Sequence, residues 1–148
     1  MSMLLDAIAT YAKAMPRHRA IVDLTSGQSW TYGELHVAVD RLAAWIVGEF
    51  GPNSSVRLAT LSKNCAEMVI LQLACIRGGA IFMPLNWRLA VAELEGLVVD
   101  GEPALLFRQE GLTAPANAPQ MLNISGLTEL GSDGDVPPSR ARRPFDAC

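Results

Sequence analysis

The residue of this chain that is best suited to contact a ligand is Arg88, which ends the segment Met-Pro-Leu-Asn-Trp-Arg at 83–88. The segment leaves the carboxyl end of a predicted parallel strand, and ligands of open α/β sheets usually bind beyond that end. A guanidinium group matches the oxygens of phosphate and carboxylate groups. The sequence therefore indicates an anion contact at Arg88. The alternative interpretation is an ion pair between Arg88 and Glu93 or another carboxylate.

A second candidate for phosphate binding is the triplet Thr25-Ser26-Gly27. Small hydroxyl residues and glycine leave backbone N–H groups open to an anion. However, no lysine follows the triplet, and the sequence predicts no long helix directly after it. A tight hairpin explains all three residues, because Gly27 can take the positive φ that such a turn needs. We therefore interpret the triplet as a hairpin tip between strands at 20–24 and 28–31.

Other arrangements of reactive groups are absent from the sequence. His18 and His36 are predicted on separate elements, without a cysteine or carboxylate partner at metal-ligand spacing. The chain has no nucleophile-elbow serine and no Walker loop, and its only lysines, Lys13 and Lys63, lie outside any glycine-rich context. We therefore predict no catalytic residue and no metal ligand.

The three cysteines match no zinc motif. Cys65 and Cys75 fall in one predicted helix, ~15 Å apart along its axis, which is too far for a disulfide. We expect both to be core thiols of a reducing compartment, and Cys148 to be an exposed chain end. The sequence also predicts neither a secretory signal nor an apolar stretch near the ~20 residues of a membrane span. These features favour a cytoplasmic protein.

The composition argues against one class of partner and suggests another. The net charge is −3, and no run of Lys or Arg exceeds the pair at 142–143, so nucleic-acid binding is not expected. Hydrophobic residues make up 50% of the chain and charged residues only 18%, against about 25% charged in a typical soluble domain. Either a large core in a small domain or a surface that another chain covers explains this excess.

The fold class is predicted from the alternation of residues 56–107. Short, nearly all-apolar segments alternate there with helix-length segments, which is typical of a parallel sheet covered on both faces. We therefore predict an α/β fold with a parallel βαβαβ core. The first of its helices is apolar nearly all round and is expected to be deeply buried, beginning at the cap pair Asn64 and Glu67 and ending at Gly78.

Further elements flank this core. An N-terminal helix is predicted at 3–15, with Ser2 as its cap, before the small hairpin. Thr31 and Glu34 form a capping box that opens a helix running to about Phe50. Residues 1–110 are thus expected to form one subdomain. The Pro- and Gly-rich extension 111–148 is expected to be ordered to about 130, with one more short strand at 121–124, and then to be a tail.

The sequence contains, in this order, the stretches WTYGEL at 30–35, RLA at 41–43, LSKNCAE at 61–67, RGGAIFMPLNWRL at 77–89 and EL at 93–94. Together they resemble the opening of the adenylate-forming (AMP-binding) enzymes, which include acyl-CoA synthetases, aryl-CoA ligases and peptide-synthetase adenylation domains. The resemblance covers roughly residues 3–125 and is greatest for the fatty-acyl-CoA synthetase branch.

The resemblance implies a reaction that this sequence lacks the groups to perform. Members of the family, about 500 residues or longer, use Mg-ATP to form an acyl-adenylate and then transfer the acyl group to CoA. Their phosphate loop ending in Lys, magnesium-binding Glu, ribose-binding Asp and lid Lys have no match here, and residues 145–147 resemble those just before that loop. The resemblance therefore implies a truncated N-terminal portion of a fatty-acyl-CoA synthetase that binds no cofactor by itself and is inactive alone.

The resemblance also implies one contact and one assembly. In some CoA ligases of the family, the arginine at the position of Arg88 meets the phosphate of the nucleotide end of CoA. A sheet and helices that lack their usual covering chain expose apolar surface, so we expect a homodimer or larger assembly. The alternative is a non-catalytic module that pairs with itself or with another partner.

Overall fold

The structure is a computed structural model that describes residues 6–132. The predictions for Ser2, for Cys148 and for residues 145–147 concern residues outside this part of the chain. In chain order the elements are α1 (Ala7–Ala14), β1 (Arg19–Val22), β2 (Ser29–Thr31), α2 (Tyr32–Phe50), β3 (Arg57–Leu61), α3 (Ala66–Gly78), β4 (Ile81–Leu85), α4 (Val91–Gly101), β5 (Leu105–Arg108), β6 (Gln120–Asn123) and a 3₁₀ helix (Ile124–Glu129).

Four parallel strands form the central sheet, in the order β4-β3-β5-β6. Leu58 of β3 lies opposite Phe82 of β4 on one side and Leu105 of β5 on the other. Parallel neighbours cannot be joined by a tight turn, so the chain crosses the sheet through α3 and then through α4. The predicted α/β fold with a parallel βαβαβ core is confirmed. The strand predicted at 121–124 is β6, which pairs with β5 in the same sheet.

Different helices cover the two faces of the sheet. Leu58 and Phe107 belong to a core shared with α2 and α3, whereas Ala59, Leu61 and Leu106 belong to a second core with α4. This division follows from the alternation of side chains along a strand. None of the five is more than 1% exposed, and burying a side chain as large as Leu or Phe stabilises the fold by about 1.5–3 kcal/mol.

Helix α2 begins at the predicted capping box. The N–H of Glu34 donates to Thr31 Oγ1 at 3.2 Å, and the N–H of Thr31 donates to Glu34 Oε2 at 2.8 Å. These hydrogen bonds satisfy two backbone donors that an uncapped helix would leave free. They also lower the pKa of Glu34, chiefly through the backbone N–H of Thr31. Glu34 is therefore a structural cap, as the sequence indicates.

Both ends of α3 differ from the prediction by one residue. The N-cap is Cys65, and no side-chain cap bond forms there, so the pairing of Asn64 with Glu67 is wrong. At the other end the left-handed residue is Gly79, with φ +74°, whereas Gly78 is still helical. A Cβ on Gly78 would lie 3.3 Å from the carbonyl oxygen of Ala43, so this glycine allows α3 to approach α2 closely.

The burial of α3 is confined to one side. Ile70, Leu71 and Ala74 are fully buried, but Ile76 is 65% exposed and Val69 is 39% exposed. The expectation of a helix buried nearly all round is therefore wrong, because α2 and the sheet cover only one side of α3. An apolar strip of α3 remains open on the described part of the chain.

The N-terminal helix and the hairpin complete the fold. Helix α1 begins one residue after Asp6, whose Oδ1 accepts from the N–H of Ala9 at 3.0 Å. No residue of α1 is buried, although Ile8 contacts the core and the Tyr11 ring lies 5.1 Å from the ring of Tyr32. The hairpin pairs β1 with β2 as predicted. Within residues 6–132, no helix is long and apolar enough to cross a membrane.

Candidate functional site

The carboxyl ends of β3, β4 and β5 meet at one edge of the sheet. The connection that leaves β3 is α3, on the face covered by α2, whereas the connection that leaves β4 is α4, on the opposite face. Where the connections of neighbouring strands leave to opposite faces, a crevice opens beyond the strand ends, and ligands of α/β sheets usually bind there. Lys63 follows β3, Trp87 and Arg88 follow β4, and Gln109 follows β5.

The backbone at Lys63 is held in place by hydrogen bonds. Its N–H donates to Gln109 Oε1 at 2.9 Å, and the N–H of Gln109 donates to the carbonyl oxygen of Leu61 at 2.9 Å. Ser62, which is only 3% exposed, donates from Oγ to the carbonyl oxygen of Lys63 at 2.9 Å. These contacts join the ends of β3 and β5, while the Lys63 side chain stays exposed.

Two cationic groups lie against one indole ring at this edge. Lys63 Nζ is 5.1 Å from the centroid of the Trp87 ring, and Arg88 Cζ is 4.6 Å from it. Cation–π contacts of this kind contribute about 0.5–1 kcal/mol at exposed sites. The turn before Arg88 is fixed by its N–H, which donates to Asn86 Oδ1 at 3.1 Å. The Trp87 ring is thus in contact with two positively charged groups.

The alternative partner for Arg88 is engaged elsewhere. Glu93 Oε2 accepts from the N–H of Ala90 at 2.8 Å and helps to begin α4. Among residues 6–132, neither Arg88 nor Lys63 forms an ion pair with a carboxylate. The interpretation of Arg88 as the ion-pair partner of Glu93 is therefore wrong for this structure. Within residues 6–132, no carboxylate forms a direct ion pair with either cation at this edge.

The structure gives the Thr25-Ser26-Gly27 triplet no role in phosphate binding. Asp23 Oδ1 accepts from the N–H of Thr25 at 2.8 Å and from the N–H of Ser26 at 3.1 Å. Gly27 takes φ +75°, as a tight turn requires. The backbone donors that an anion would need are therefore already bonded, and these bonds lower the pKa of Asp23. The prediction of a hairpin tip is confirmed.

The histidines and cysteines form no reactive group in the described chain. His36 Nε2 lies 3.9 Å from Asp40 Oδ2, one turn further along α2. No cluster of three metal-ligating side chains occurs within residues 6–132. Burial raises the pKa of Cys75 to about 12 and also raises the pKa of the half-buried Cys65. Both thiols are therefore protonated at neutral pH.

Sequence reasoning identified Arg88 but missed the residues around it. Lys63 appears there as one of two lysines and within the stretch 61–67, but with no ligand role, and Gln109 is not singled out. Lys63 comes two residues after β3, and Arg88 comes three residues after β4. Because the carboxyl ends of parallel neighbours meet at one edge, these two offsets were the signal that could have placed both residues together.

A second concave surface lies on α2. It is an open groove of about 470 Å³, lined by Trp30, Val37, Arg41 and Thr128 among others. The acidic residue that lines this groove is Glu34, which caps α2. The groove is mainly apolar and offers few converging polar groups, so the carboxyl edge of the sheet is the better candidate for a ligand site.

Known proteins resemble this chain in sequence and in structure. The profile of the AMP-binding enzyme family matches residues 8–143. Surfactin synthase subunit 2 of Bacillus subtilis is 33% identical over 106 residues, which are 71% of this chain and 3% of that protein. The 2-succinylbenzoate–CoA ligase of Oceanobacillus iheyensis is 28% identical over 135 residues, 91% of this chain and 28% of the ligase. The medium-chain fatty-acid–CoA ligase of Escherichia coli is 38% identical over 79 residues, 52% of this chain and 14% of the ligase.

Solved structures share the fold. The o-succinylbenzoate CoA synthetase of Bacillus subtilis, in complex with its acyl-adenylate, superposes with a TM-score of 0.70 at 22% identity, covering 84% of this chain and 25% of that one. The N-terminal subdomain of Klebsiella oxytoca NpsA gives 0.72 at 20% identity, covering 93% of this chain and 35% of that one. The same Bacillus synthetase has been solved with ATP and magnesium ion.

The chain spans between 3% and 28% of the length of the curated relatives named above. Those relatives include acyl-CoA ligases, and peptide-synthetase adenylation domains are also among the homologues. The profile match covers most of the chain, and the parallel sheet, hairpin and N-terminal helix agree with the solved N-terminal subdomains. The chain belongs to the AMP-binding (adenylate-forming) enzyme family.

Proposed function

We propose that this chain forms the N-terminal α/β portion of an acyl-CoA ligase that activates a fatty acid, and that its 148 residues do not adenylate alone. The observation that carries the proposal is Arg88, exposed beyond β4 at the carboxyl edge and without a carboxylate partner among the described residues. A free guanidinium at this edge is suited to a phosphate of CoA. The match to two CoA ligases supports the same assignment.

The absence of adenylation follows from what the transition state of that reaction needs. Transfer of an adenylyl group depends on cations and hydrogen-bond donors placed around the phosphates, including a metal ion. The sequence offers no glycine-rich loop ending in lysine, and residues 6–132 build no metal cluster. The role proposed for this chain is therefore to form part of the sheet and to contact CoA, while ATP and magnesium are held by other parts of the ligase.

ATP–pyrophosphate exchange tests the first part of the proposal. We expect no exchange above background when the purified chain is incubated with ATP, magnesium and a panel of fatty, aryl and amino acids. A fused chimera, in which this chain replaces the corresponding part of the Escherichia coli medium-chain ligase, is expected to recover exchange. The ligase with its own N-terminal part and the same junction is the matched control. Exchange by the chain alone would contradict the proposal.

A pair of chimeras tests the fatty-acid assignment. We expect the chain to support CoA-thioester formation better when it is joined to the remainder of the medium-chain fatty-acid–CoA ligase than to the remainder of the 2-succinylbenzoate–CoA ligase. Each activity is expressed relative to its parent with the same junction. Higher relative activity of the 2-succinylbenzoate chimera would favour a different branch of the acyl-CoA ligases. The assignment to the AMP-binding family would not be affected.

A second candidate function is a self-associating module, and the exposed apolar surface of α3 favours it. Ile76 is 65% exposed, Val69 is 39% exposed, and Ile81 at the start of the edge strand β4 is 43% exposed. Edge strands and apolar surface of this kind associate readily. Sedimentation equilibrium should then show a dimer that Ile76→Glu dissociates and that Leu24→Glu, at a 92% exposed position on the hairpin, does not. A monomer at all concentrations would rule this function out.

A further inference from the structure

We propose that Lys63, Trp87 and Arg88 form a two-cation receptor for phosphate groups, in which Lys63 is a second contact for the anion that Arg88 binds. This inference rests on the proposed function where the ligand is CoA, but the receptor itself is defined by its geometry. Nothing in the sequence pattern or in the family comparison assigns a role to Lys63 or to Trp87.

Both cationic groups lie near one indole ring. Lys63 Nζ and Arg88 Cζ both lie within 5.1 Å of the same ring centroid, so they are separated by less than about twice that distance. Charge-assisted hydrogen bonds to phosphate oxygens are about 2.7–2.9 Å long. Because both side chains are long and exposed, a phosphate or diphosphate beside the ring can accept from both once their side-chain torsions change.

Hydrogen bonds fix the backbone positions from which the two cationic side chains extend. The Lys63 backbone is fixed to Gln109 and to Ser62, and the turn at Arg88 is closed by Asn86. Because the backbone positions are set before a ligand arrives, only the two side chains have to be ordered on binding. The side chains themselves are exposed, so a ligand can reach them.

The positive charges of Lys63 and Arg88 favour an anionic ligand. The chain as a whole carries a net charge of −3, yet within residues 6–132 neither Lys63 nor Arg88 has an ion-pair partner. Two like charges near one ring repel each other, and the indole offsets only part of that repulsion. A bound phosphate would remove it, since each cation exchanges a weak contact with the ring for a charge-assisted hydrogen bond.

Two neighbouring cations favour ligands with phosphate groups. We compare two such ligands, CoA, which belongs to the proposed function, and inorganic diphosphate. Binding is followed by ¹H–¹⁵N NMR on the full chain, with the indole N–H signal of Trp87 assigned from Trp87→Phe. We expect both ligands to move this signal and to leave those of Trp30 and Trp45 in place. Trp87 is suited to this purpose because both cations contact its ring.

Matched variants separate the receptor from general charge effects. We expect Lys63→Gln and Arg88→Gln each to weaken binding of both ligands about 5- to 10-fold, at the low end for charged hydrogen bonds because the side chains are exposed. Lys13→Gln changes the other lysine of the chain, and Arg57→Gln changes an exposed arginine at the opposite end of β3. Both controls are expected to bind like the wild type.

Each outcome bears on the proposal. If Arg88→Gln weakens CoA binding and Lys63→Gln does not, the two-cation receptor is wrong while the proposed function stands. If inorganic diphosphate binds with a dependence on both cations and CoA does not bind, the receptor is supported and the CoA assignment fails. If neither ligand moves the Trp87 signal up to its solubility limit, the receptor is overturned.

Discussion

Arg77, near the carboxyl end of α3, connects three helices. Its Nε donates to Asp6 Oδ2 at 2.8 Å, its Nη1 donates to Asp40 Oδ1 at 2.8 Å, and its Nη2 also contacts Asp6. Asp6 caps α1 and Asp40 lies on α2. The Arg77 side chain is 19% exposed, against 41% for Asp6 and 61% for Asp40. Because no residue of α1 is buried, these contacts join the packing of Ile8 and Tyr11 in holding α1 in place.

The expected cost of Arg77→Met follows from these exposures. A hydrogen bond to a charged group contributes about 1.5–3 kcal/mol when it is shielded, and an exposed ion pair contributes about 0.2–1 kcal/mol. The contact with Asp6 is partly shielded, and the contact with Asp40 is mostly exposed. Methionine preserves the apolar stem of the side chain. We therefore expect the free energy of unfolding to fall by about 2 kcal/mol and α1 to exchange its amide hydrogens faster than α2 or α3.

Urea denaturation and hydrogen exchange by mass spectrometry measure both effects. Arg57→Met is the matched control, because Arg57 is exposed and forms no ion pair within residues 6–132. A loss below about 0.5 kcal/mol, which is the usual range for surface changes, together with unchanged exchange across α1, would refute the reasoning. Loss of stability without faster exchange in α1 would mean that Arg77 supports the α2–α3 contact instead.

Three further predictions concern the backbone, the pH dependence and the thiols. Gly79→Ala should lower the free energy of unfolding, measured by urea denaturation, by at least about 1 kcal/mol, since φ is +74° and a Cβ would lie 2.6 Å from Asn53 Cα. Gly96→Ala, in an open helical position, should instead raise it by about 0.4–1 kcal/mol. Burial raises the pKa of Asp6, but hydrogen bonds from Ala9 and Arg77 outweigh it and leave the pKa below its usual value. The contribution of Asp6 to the free energy of unfolding should therefore be present above about pH 4 and be lost as the pH falls below it. An Asp6→Asn variant should show a shallower acid unfolding transition. Cys75 should stay unmodified by iodoacetamide in the native chain, as peptide mass spectrometry would show, because its thiol is buried and its pKa is about 12.

The elements that the sequence predicted well are those that local chemistry determines. The Thr31–Glu34 capping box needs only residues three apart. The strands β3, β4 and β5 are recognisable as short apolar segments between helix-length ones. The errors lie where tertiary contacts decide. Gly78 is helical and lies against α2, and Gly79, with its positive φ, lies against Asn53.

The site was predictable only in part for the same reason. Arg88 follows a strand and could be identified from its own segment, but Lys63 belongs to a different connection, 25 positions earlier in the sequence. Only the parallel pairing of β3 with β4 brings the two beside Trp87. The periodicity of a single helix or strand cannot predict that two residues from different connections lie close together. That prediction needs the order of the strands in the sheet.

The measurement that tests the central claim most directly is the steady-state kinetics of the fatty-acid ligase chimera with and without Arg88→Gln. If the carboxyl edge serves the CoA step, the variant should raise the KM for CoA about 5- to 10-fold, as expected for losing one exposed charge-assisted contact. The KM for ATP and the rate of ATP–pyrophosphate exchange should stay at the values of the unsubstituted chimera. An unchanged KM for CoA, or an equal effect on pyrophosphate exchange, would contradict the claim that this edge of the sheet contacts CoA.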